Sequence, residues 1–421
     1  MATAVKTHLA SKIDWDAAYS GCDIYIYLHA FSIESARGYA GETTSEQDLV
    51  SALKVRPGAA PPAGVAVVAA QFALYAALAK AGAALPAAAP SADQAISAAK
   101  RILVAWADRG FRDASGTFRR STAQYCKADG KPAQPIANAL QISRGVVYSV
   151  QAQDLLQGIG AFSPDEVARL NLFHQGMYET IRTMSNEEFV HSIAGKTNGD
   201  ETYNNQFASH LAALIAIARL LDDSSRLEAA LHGGDTVFKL ELPWTKLFSY
   251  VIYGVNDQPM LRITPNSSDD PLKSRPAYST SVVAPGEIND RFRNAHAMAG
   301  IGYPMGTLSW LYTSAETLRG AGYDPYRYQG AQQQTIEMAT RYYACFGKQP
   351  GFKNTVTADN ARSCSDFQQY IGKVVAGVEN AVVIGAYRFP GDAAITEVER
   401  SAREALLHDA IDTTLYGRWR E

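Results

Sequence analysis

Apolar residues spaced as on one face of an α-helix recur along most of the chain, and this spacing constrains the fold more than any other feature. Glycine, proline and polar stretches interrupt it, so we expect helices joined by loops. Strand-like or irregular patterns are confined to residues 22–31, 237–244 and 249–255. The predicted helices cover residues 46–55, 64–82, 91–110, 136–158, 163–184, 203–222, 224–232, 304–319, 330–346, 365–384 and 394–410, with a further helix beginning at residue 287.

Successive helices of this kind are expected to form helical hairpins that stack side by side. A closed ring of hairpins, a bundle and an open solenoid are all compatible with the pattern. A chain of 421 residues is long enough to bury a large core.

Charge and hydropathy exclude some classes of partner. The net charge is −3, which supplies no general basic field for nucleic acid. The alanine-rich stretch at residues 61–86 contains Gln71 and Lys80, so we interpret it as a buried or half-buried helix and not as a membrane span. We expect no membrane partner, and a monomer or a dimer.

The chain has four cysteines, and none of them forms a CxxC pair, so a zinc site is not expected. We predict that Cys345 pairs with Cys364 across a polar loop, and that Cys22 pairs with Cys126. Disulfides imply export, and four reduced, buried cysteines in a cytosolic protein are the alternative. The N-terminus lacks a signal-peptide pattern, and we interpret it as a mature terminus of a secreted or periplasmic protein with a start methionine added.

Residues 287–323 form the first stretch with chemical groups concentrated in it. On a helix, Arg293 and His296 share one face, and Arg291 lies close by. Tyr303 precedes a proline, so we expect a helix break before it and Tyr303 at the start of the next helix, where the dipole favours phenolate. These groups suit a site for an anionic sugar; a structural histidine and tyrosine at a helix junction are the alternative.

Residues 198–222 form the second such stretch, a polar helix start followed by a plain amphipathic helix. Positions 203, 206 and 210 share one helix face. Amides cannot act as bases at neutral pH, but they can hydrogen-bond a carboxylate. Capping of free backbone N–H groups is the alternative role. The polar residues are Tyr203, Asn204, Asn205, Gln206 and His210.

The Asn204-Asn205 pair followed by a long Ala/Leu helix resembles the alginate lyase superfamily of polysaccharide lyases, and most closely polysaccharide lyase family 38. The segment RNAHAMAGIGYPMGTLSWLYTSAETLRGAGYDPY is similar to a later helix of that family. The segment NALQISRGVVYSVQAQDLL, which brings Gln141 and Arg144, is similar to an earlier one. Gln206 stands where the common pattern has histidine.

The resemblance implies an all-α protein with the α/α toroid fold, a few short strands and long rim loops, as one catalytic domain over residues 1–421. It implies β-elimination in a polyuronate, either alginate or glucuronan, without a cofactor. The anionic polysaccharide is the expected partner. The implied binding residues are Asn204, Gln206, Tyr203, Arg291, Arg144 and Gln141.

β-Elimination requires that the uronate carboxylate be neutralised before the C5 proton is removed. Asn205, with Gln206, His210 or Arg293, can do this by hydrogen bonding. The base is Tyr303, His296 or His210, and the sequence leaves the choice open. Tyr303 is the expected acid. In mannuronate and glucuronate the C5 hydrogen and the leaving oxygen lie on one side of the ring, so a single tyrosine can serve as base and then as acid.

Two other classes fit the sequence. An inverting glycoside hydrolase would need two carboxylates facing each other across a cleft, and the candidates are Asp200, Glu201, Asp290 and Glu287. A non-catalytic oligosaccharide-binding protein would use the tyrosines and arginines for capture alone. No calcium-loop spacing of acidic residues is present, and we expect no metal.

The disulfide prediction has a direct test. Thiol titration of the unfolded, unreduced protein should find no free thiol, because both pairs would be oxidised. A result of four titratable thiols would show that neither disulfide forms, and the argument for export would then no longer hold.

Overall fold

The structure is a computed structural model, and it describes residues 61–82, 91–109, 135–193, 204–234, 237–255, 284–288, 302–347 and 384–396. Within these ranges the chain is almost entirely α-helical, so the predicted all-α class is confirmed for them. The named helices are α1 (Pro61–Lys80), α2 (Ala92–Arg109), α3 (Pro135–Gly158), α4 (Pro164–Ile193), α5 (Asn204–Leu220), α6 (Ser224–His232), α7 (Trp244–Val251), α8 (Gly302–Gly320) and α9 (Ile336–Gly347).

The chain divides into two compact units. The first comprises residues 1–184 and 216–224, and the second comprises residues 185–215 and 225–421. Helices α4 and α5 therefore each contribute residues to both units. The single catalytic domain and the ring of hairpins stay predictions.

Two helices begin with reciprocal capping boxes. Ser91 accepts the N–H of Gln94 on its hydroxyl at 3.3 Å, while the Gln94 side chain accepts the N–H of Ser91 at 3.0 Å. Ser163 and Glu166 exchange the equivalent pair of bonds at the start of α4. Each box satisfies N–H groups that the helix itself leaves without partners. The predicted helix starts at Ser91 and Ser163 are confirmed to within one residue.

Helix α1 buries a face made almost wholly of alanine. The buried alanines follow helical spacing, and Phe72 is the large side chain buried with them. Side chains this small allow a neighbouring backbone to approach closely. The alanines are Ala66, Ala69, Ala70, Ala73 and Ala76. The interpretation of this stretch as a buried or half-buried helix is confirmed, and no described helix is long and apolar enough to cross a membrane.

Helix α4 continues nine residues past its predicted end at residue 184. The prediction stopped at the polar sequence Ser185-Asn186-Glu187, but tertiary contacts keep these residues helical. The Asn186 amide donates to the carbonyl of Lys239 and accepts the N–H of Glu241, both at 2.8 Å. One turn further on, the Phe189 ring packs edge-on against Tyr250, with centroids 5.3 Å apart.

The prediction of strand-like or irregular structure at residues 237–244 and 249–255 is wrong only for residues 244 and 249–251, because residues 237–243 and 252–255 are irregular apart from one bridge. Residues 244–251 form α7, which follows Pro243 and buries most of its side chains. The Pro243 carbonyl accepts the N–H groups of Lys246 and Leu247, both at 2.9 Å. Residue Ile252 then forms an isolated antiparallel bridge with Ile288. In the described ranges no longer strand is present.

The helix predicted to begin at residue 287 does not begin there, because Glu287 and Ile288 belong to this bridged segment. The turn before it depends on Gly286, whose φ of +90° is strained for any other residue. A Cβ atom at Gly286 would also lie 2.5 Å from the Met338 carbonyl oxygen. The chain can follow this path only with glycine at this position.

Two other helix starts differ from prediction. Helix α8 begins at Gly302, two residues before the predicted start at residue 304, and Tyr303 and Pro304 lie in its first turn, as expected for a helix start. Proline costs nothing there, because first-turn N–H groups have no intrahelical acceptor. Helix α9 begins at Ile336 and not at residue 330; the Thr335 hydroxyl accepts the N–H of Met338 at 3.0 Å and caps it.

Several predictions fall partly or wholly outside the described residues. These are the strand-like stretch 22–31, the helix at 46–55, and most of the helices at 365–384 and 394–410, of which residues 384 and 394–396 are described and helical. The four cysteine side chains lie outside the described part as well, so both disulfides stay predictions.

A fully buried imidazole joins α3 and α4 in the first unit. The His174 Nε2 atom lies 2.9 Å from the hydroxyl oxygen of Ser149. Burial lowers the pKa of His174 from 6.5 to about 3, against the opposing effect of a hydrogen bond with the Leu170 backbone. The imidazole is therefore neutral throughout the physiological range.

This pKa shift predicts a loss of stability on acidification. Between pH 6.5 and about pH 3 the unfolded chain binds a proton at His174 that the folded protein does not bind. The free energy of unfolding should therefore fall by up to ~1.4 kcal/mol per pH unit from this group. His174→Gln keeps a hydrogen-bonding side chain without titration, and should flatten the slope measured by urea unfolding at several pH values.

A matched control is His232→Gln, at the exposed C-terminal end of α6, which should leave the slope nearly unchanged. Equal slopes for the wild-type protein and His174→Gln would contradict the prediction.

Candidate functional site

The N-terminal half of α5 buries an unusual set of polar side chains. Asn205 is 3% exposed, Gln206 is 5% exposed, and Ser209 and His210 have no exposed surface. Burial of polar groups costs free energy unless they are hydrogen-bonded. The Ser209 hydroxyl donates to the Gln206 carbonyl at 2.8 Å. The Gln206 Oε1 atom is buried and has no hydrogen-bond partner within the described part of the chain.

The starts of α5 and α8 approach each other near Asn205 and Gly306. A Cβ atom added at Gly306 would lie 4.0 Å from the Cβ atom of Asn205. Tyr303 precedes Gly306 by three residues, which is less than one helical turn. The fold thus joins two stretches that are a hundred residues apart in sequence, and that were each singled out for their chemical groups.

An acid lies beside His210 inside the second unit. Glu188, near the end of α4, has its Oε2 atom 4.0 Å from the Nε2 atom of His210, and the two side chains are 4% and 1% exposed. The Phe207 ring packs edge-on against the imidazole, with centroids 6.0 Å apart. His210 is therefore enclosed by an aromatic ring and faced by a carboxylate.

Sequence analysis missed Glu188 because it ended α4 at residue 184. The signal was present, however. Ile181 and Met184 lie on the buried stripe of α4, and residue 188 continues that stripe at helical spacing. The adjacent Glu187 is exposed, as the same periodicity requires.

The segment with Arg291, Arg293 and His296 lies outside the described residues, but the chain on both sides of it is described. On one side, the N–H of Ile288 donates to the Tyr343 hydroxyl at 3.0 Å, and the N–H of Tyr253 donates to the Glu287 carbonyl at 2.8 Å. On the other side, α8 begins at Gly302.

The remaining predicted residues are distributed as follows. Asn204 is the first residue of α5, and Tyr203 lies outside the described part. Gln141 and Arg144 belong to α3, in the first unit, whereas the polar start of α5 belongs to the second. Arg144 is half-buried there.

Of the four carboxylates that the hydrolase alternative would use, the structure describes only that of Glu287. It is fully buried, and its Oε2 atom accepts the N–H of Ala284 at 3.2 Å, within its own turn. Asp200, Glu201 and Asp290 lie outside the described residues. In the described ranges no group of three or more His, Cys, Asp or Glu residues could hold a metal ion.

A buried ion pair gives a structural role to residues 315–326, AETLRGAGYDPY, which end the later segment that carries the family resemblance. Arg388 donates two hydrogen bonds to the Glu316 carboxylate, one of them at 2.6 Å. The Tyr326 hydroxyl donates to the same carboxylate at 2.5 Å. Burial would lower the pKa of Arg388, but its hydrogen bonds with Glu316 outweigh burial and raise the pKa. This segment therefore fixes residues 384–396 on α8.

The same segment also ends α8. The N–H of Tyr323 donates to the Leu318 carbonyl at 3.1 Å, and the N–H of Gly322 donates to the Arg319 carbonyl at 3.0 Å. Gly322 has a φ of +91°, as a Schellman-type helix end requires. Gly322 thus has a structural role at the end of α8.

Comparisons with known proteins give limited information. No protein-family model matches the sequence, and no curated protein matches it. A solved crystal structure of an alginate lyase from Bacteroides ovatus is similar to this chain, with a TM-score of 0.49 and 11% identity over 85% of this chain and 74% of that one. A likeness at this level does not establish a shared activity.

Two arginines on one carboxylate allow a controlled test of the buried ion pair. Arg388→Met should lower the free energy of unfolding by about 3 kcal/mol, because it leaves the Glu316 carboxylate buried without its two-fold donor. Arg319→Met should cost less than about 1 kcal/mol, because that side chain is 44% exposed and its nitrogen lies 3.7 Å from Glu316.

Urea unfolding of both variants against the wild-type protein measures the difference. Equal losses for the two variants would show that Arg388 contributes no more to the free energy of unfolding than Arg319 does.

Proposed function

We propose that this protein is a polysaccharide lyase that cleaves a polyuronate, alginate or glucuronan, by β-elimination. The observation that carries the proposal is the close approach of the starts of α5 and α8, where a Cβ atom at Gly306 would lie 4.0 Å from the Cβ atom of Asn205. Through it, amides suited to a carboxylate and a tyrosine suited to proton transfer come from two helices that meet. A secreted or periplasmic location would bring such an enzyme to its substrate.

Carboxylate neutralisation is the first requirement of the reaction, and the start of α5 meets it in two ways. The N-terminal N–H groups and the helix dipole favour negative charge at this end. The Asn205 amide can donate to the carboxylate and to the enolate that develops from it.

Proton transfer is the second requirement. Tyr303 lies in the first turn of α8, where the positive end of the dipole lowers the cost of phenolate. His210 has no exposed surface, which disfavours direct contact with a polymer. The proposal therefore assigns base and acid to Tyr303, with His296 as the other candidate base and Arg293 as the cation at the carboxylate.

The hydrolase alternative has less support. Glu287 is committed to its own turn, and a carboxylate bound there is poorly suited to activate water. A single assay separates the classes, in which the protein is incubated with glucuronan and with alginate while near-ultraviolet absorbance and reducing ends are recorded. β-Elimination leaves a double bond conjugated with the uronate carboxylate, and this product absorbs in the near ultraviolet, whereas the product of hydrolysis does not.

A lyase raises both signals, a hydrolase raises reducing ends alone, and a binding protein raises neither. Only the first result is compatible with the proposal.

Tyr303→Phe should abolish turnover while substrate binding persists, because the ring remains and only the ionisable hydroxyl is lost. Turnover is measured by the absorbance assay, and binding by calorimetry with an oligouronate. The control is Tyr323→Phe, an exposed tyrosine beyond the other end of α8, which should keep full activity. Near-normal turnover in Tyr303→Phe would mean that another group is the acid.

Asn205→Ala should lower the rate far more than it weakens binding, because its hydrogen bond strengthens as enolate charge develops. A loss on the order of a hundredfold is typical of one such donor. Ser209→Ala is the control, since it removes a bond made only within the same helix and should change the rate little. Equal losses in rate and in affinity for Asn205→Ala would argue against its transition-state role.

A further inference from the structure

The pair formed by Glu188 and His210 is not used by any step of the proposed reaction, although it is almost completely buried. Two ionisable side chains in a low-dielectric region interact more strongly than on the surface. Their nearest atoms, Oε2 and Nε2, are 4.0 Å apart. At this distance the carboxylate acts on the imidazole through its charge.

Aromatic rings hold both members of the pair. Phe189, the neighbour of Glu188, packs edge-on against Phe207 with centroids 5.9 Å apart, and against Tyr250 at 5.3 Å. Phe207 in turn packs against Tyr250 at 5.6 Å and against His210 at 6.0 Å. The end of α4 is thus fixed on α5 and α7 by uncharged groups, and the carboxylate is the charge that faces Nε2 in this set.

The position of His210 gives the pair a consequence for the site. His210 lies one helical turn after Gln206, and helical side chains lean toward the preceding turn. The imidazole therefore supports the turn that carries Asn205 and Gln206. A change in its tautomer or orientation would be transmitted to those amides.

We propose that Glu188 is a positioning residue, which keeps a proton on the Nε2 atom of His210 and so fixes the imidazole behind the carboxylate-binding face of α5. In this arrangement His210 neither removes nor delivers the C5 proton. The interaction partner of a ring nitrogen decides which nitrogen carries the proton, and a carboxylate favours protonation of the nitrogen it faces. The catalytic part of this inference rests on the proposed lyase function.

The tautomer can be measured without any enzymatic activity. The full-length chain is labelled with ¹⁵N-histidine, and the His210 signals among the eight histidines are assigned with His210→Gln. At pH 7, the wild-type Nε2 signal should show an attached proton. Glu188→Gln, which removes the charge at nearly constant shape, should shift the tautomer population away from Nε2.

Glu187→Gln is the matched control. It makes the same chemical change one residue earlier on the same helix, at an exposed position, and should leave the His210 signals unchanged. Glu188→Asp keeps the charge, and should retain more of the Nε2 proton than Glu188→Gln. An Nε2 atom without a proton in the wild-type protein would overturn the proposal even if Glu188→Gln failed to fold. Identical tautomers in the wild-type protein and a folded Glu188→Gln would overturn it as well.

Turnover supplies the second measurement. With glucuronan or alginate, Glu188→Gln should lower kcat about a hundredfold with little change in KM, as expected for displaced catalytic groups, and Glu188→Asp should recover part of the loss. A tautomer change in a protein without lyase activity would remove the proposed function and leave the pairing intact. An unchanged kcat in an active lyase would overturn the positioning role.

Discussion

Burial of polar side chains at the start of α5 is the constraint on which the candidate site depends. A helix in this position could have been covered with alanine and leucine, as its second half is. Amide and imidazole groups placed there instead carry a desolvation cost that only specific hydrogen bonds or charges can offset. Such groups are consequently held in few orientations, and a site that stabilises developing charge needs this kind of order before its substrate arrives.

Glycine at position 306 is not required by the approach of α8 to α5. A Cβ atom there would lie 4.0 Å from the Cβ atom of Asn205, which is an ordinary van der Waals distance, so alanine would fit. Hydroxyl groups along α8 bond to their own helix, as at Ser309 and Thr313, each bonded to the carbonyl four residues earlier. These hydroxyl groups are thus satisfied within the helix.

Much of the fold could be predicted from the sequence, because most of its helices begin and end on local signals. The capping boxes at Ser91 and Ser163 and the terminating glycine at residue 322 are examples. The errors arose where tertiary contacts overrode local preference. Polar residues at 185–188 remained helical because Asn186 and Phe189 found partners far away in the sequence. Residues 249–251 were predicted as strand-like because Tyr250 and Val251 are residue types common in strands, but such residues also suit a short buried helix.

The residues that α5 and α8 contribute to the candidate site could be predicted from the sequence, but the buried acid beside them could not. Asn205 and Tyr303 stood out because their residue types are unusual at those positions. Glu188 did not, since a buried acid and an exposed acid have the same letter in a sequence, and only the helix register separates Glu188 from Glu187. The segment at residues 315–326 carried part of the family resemblance, and the ion pair at Glu316 gives it a structural role that the sequence did not reveal.

The contact between Asn186 and residues 239–241 has a consequence for how this surface can evolve. The amide bonds a carbonyl and an N–H of the main chain, at Lys239 and Glu241, and so recognises the peptide backbone independently of side-chain identity. Lys239 and Glu241 can then be replaced by almost any residue without loss of the contact. The exception is proline at position 241, which has no N–H to donate. Sequence drift should be tolerated on this loop, while the single asparagine that holds it should resist change.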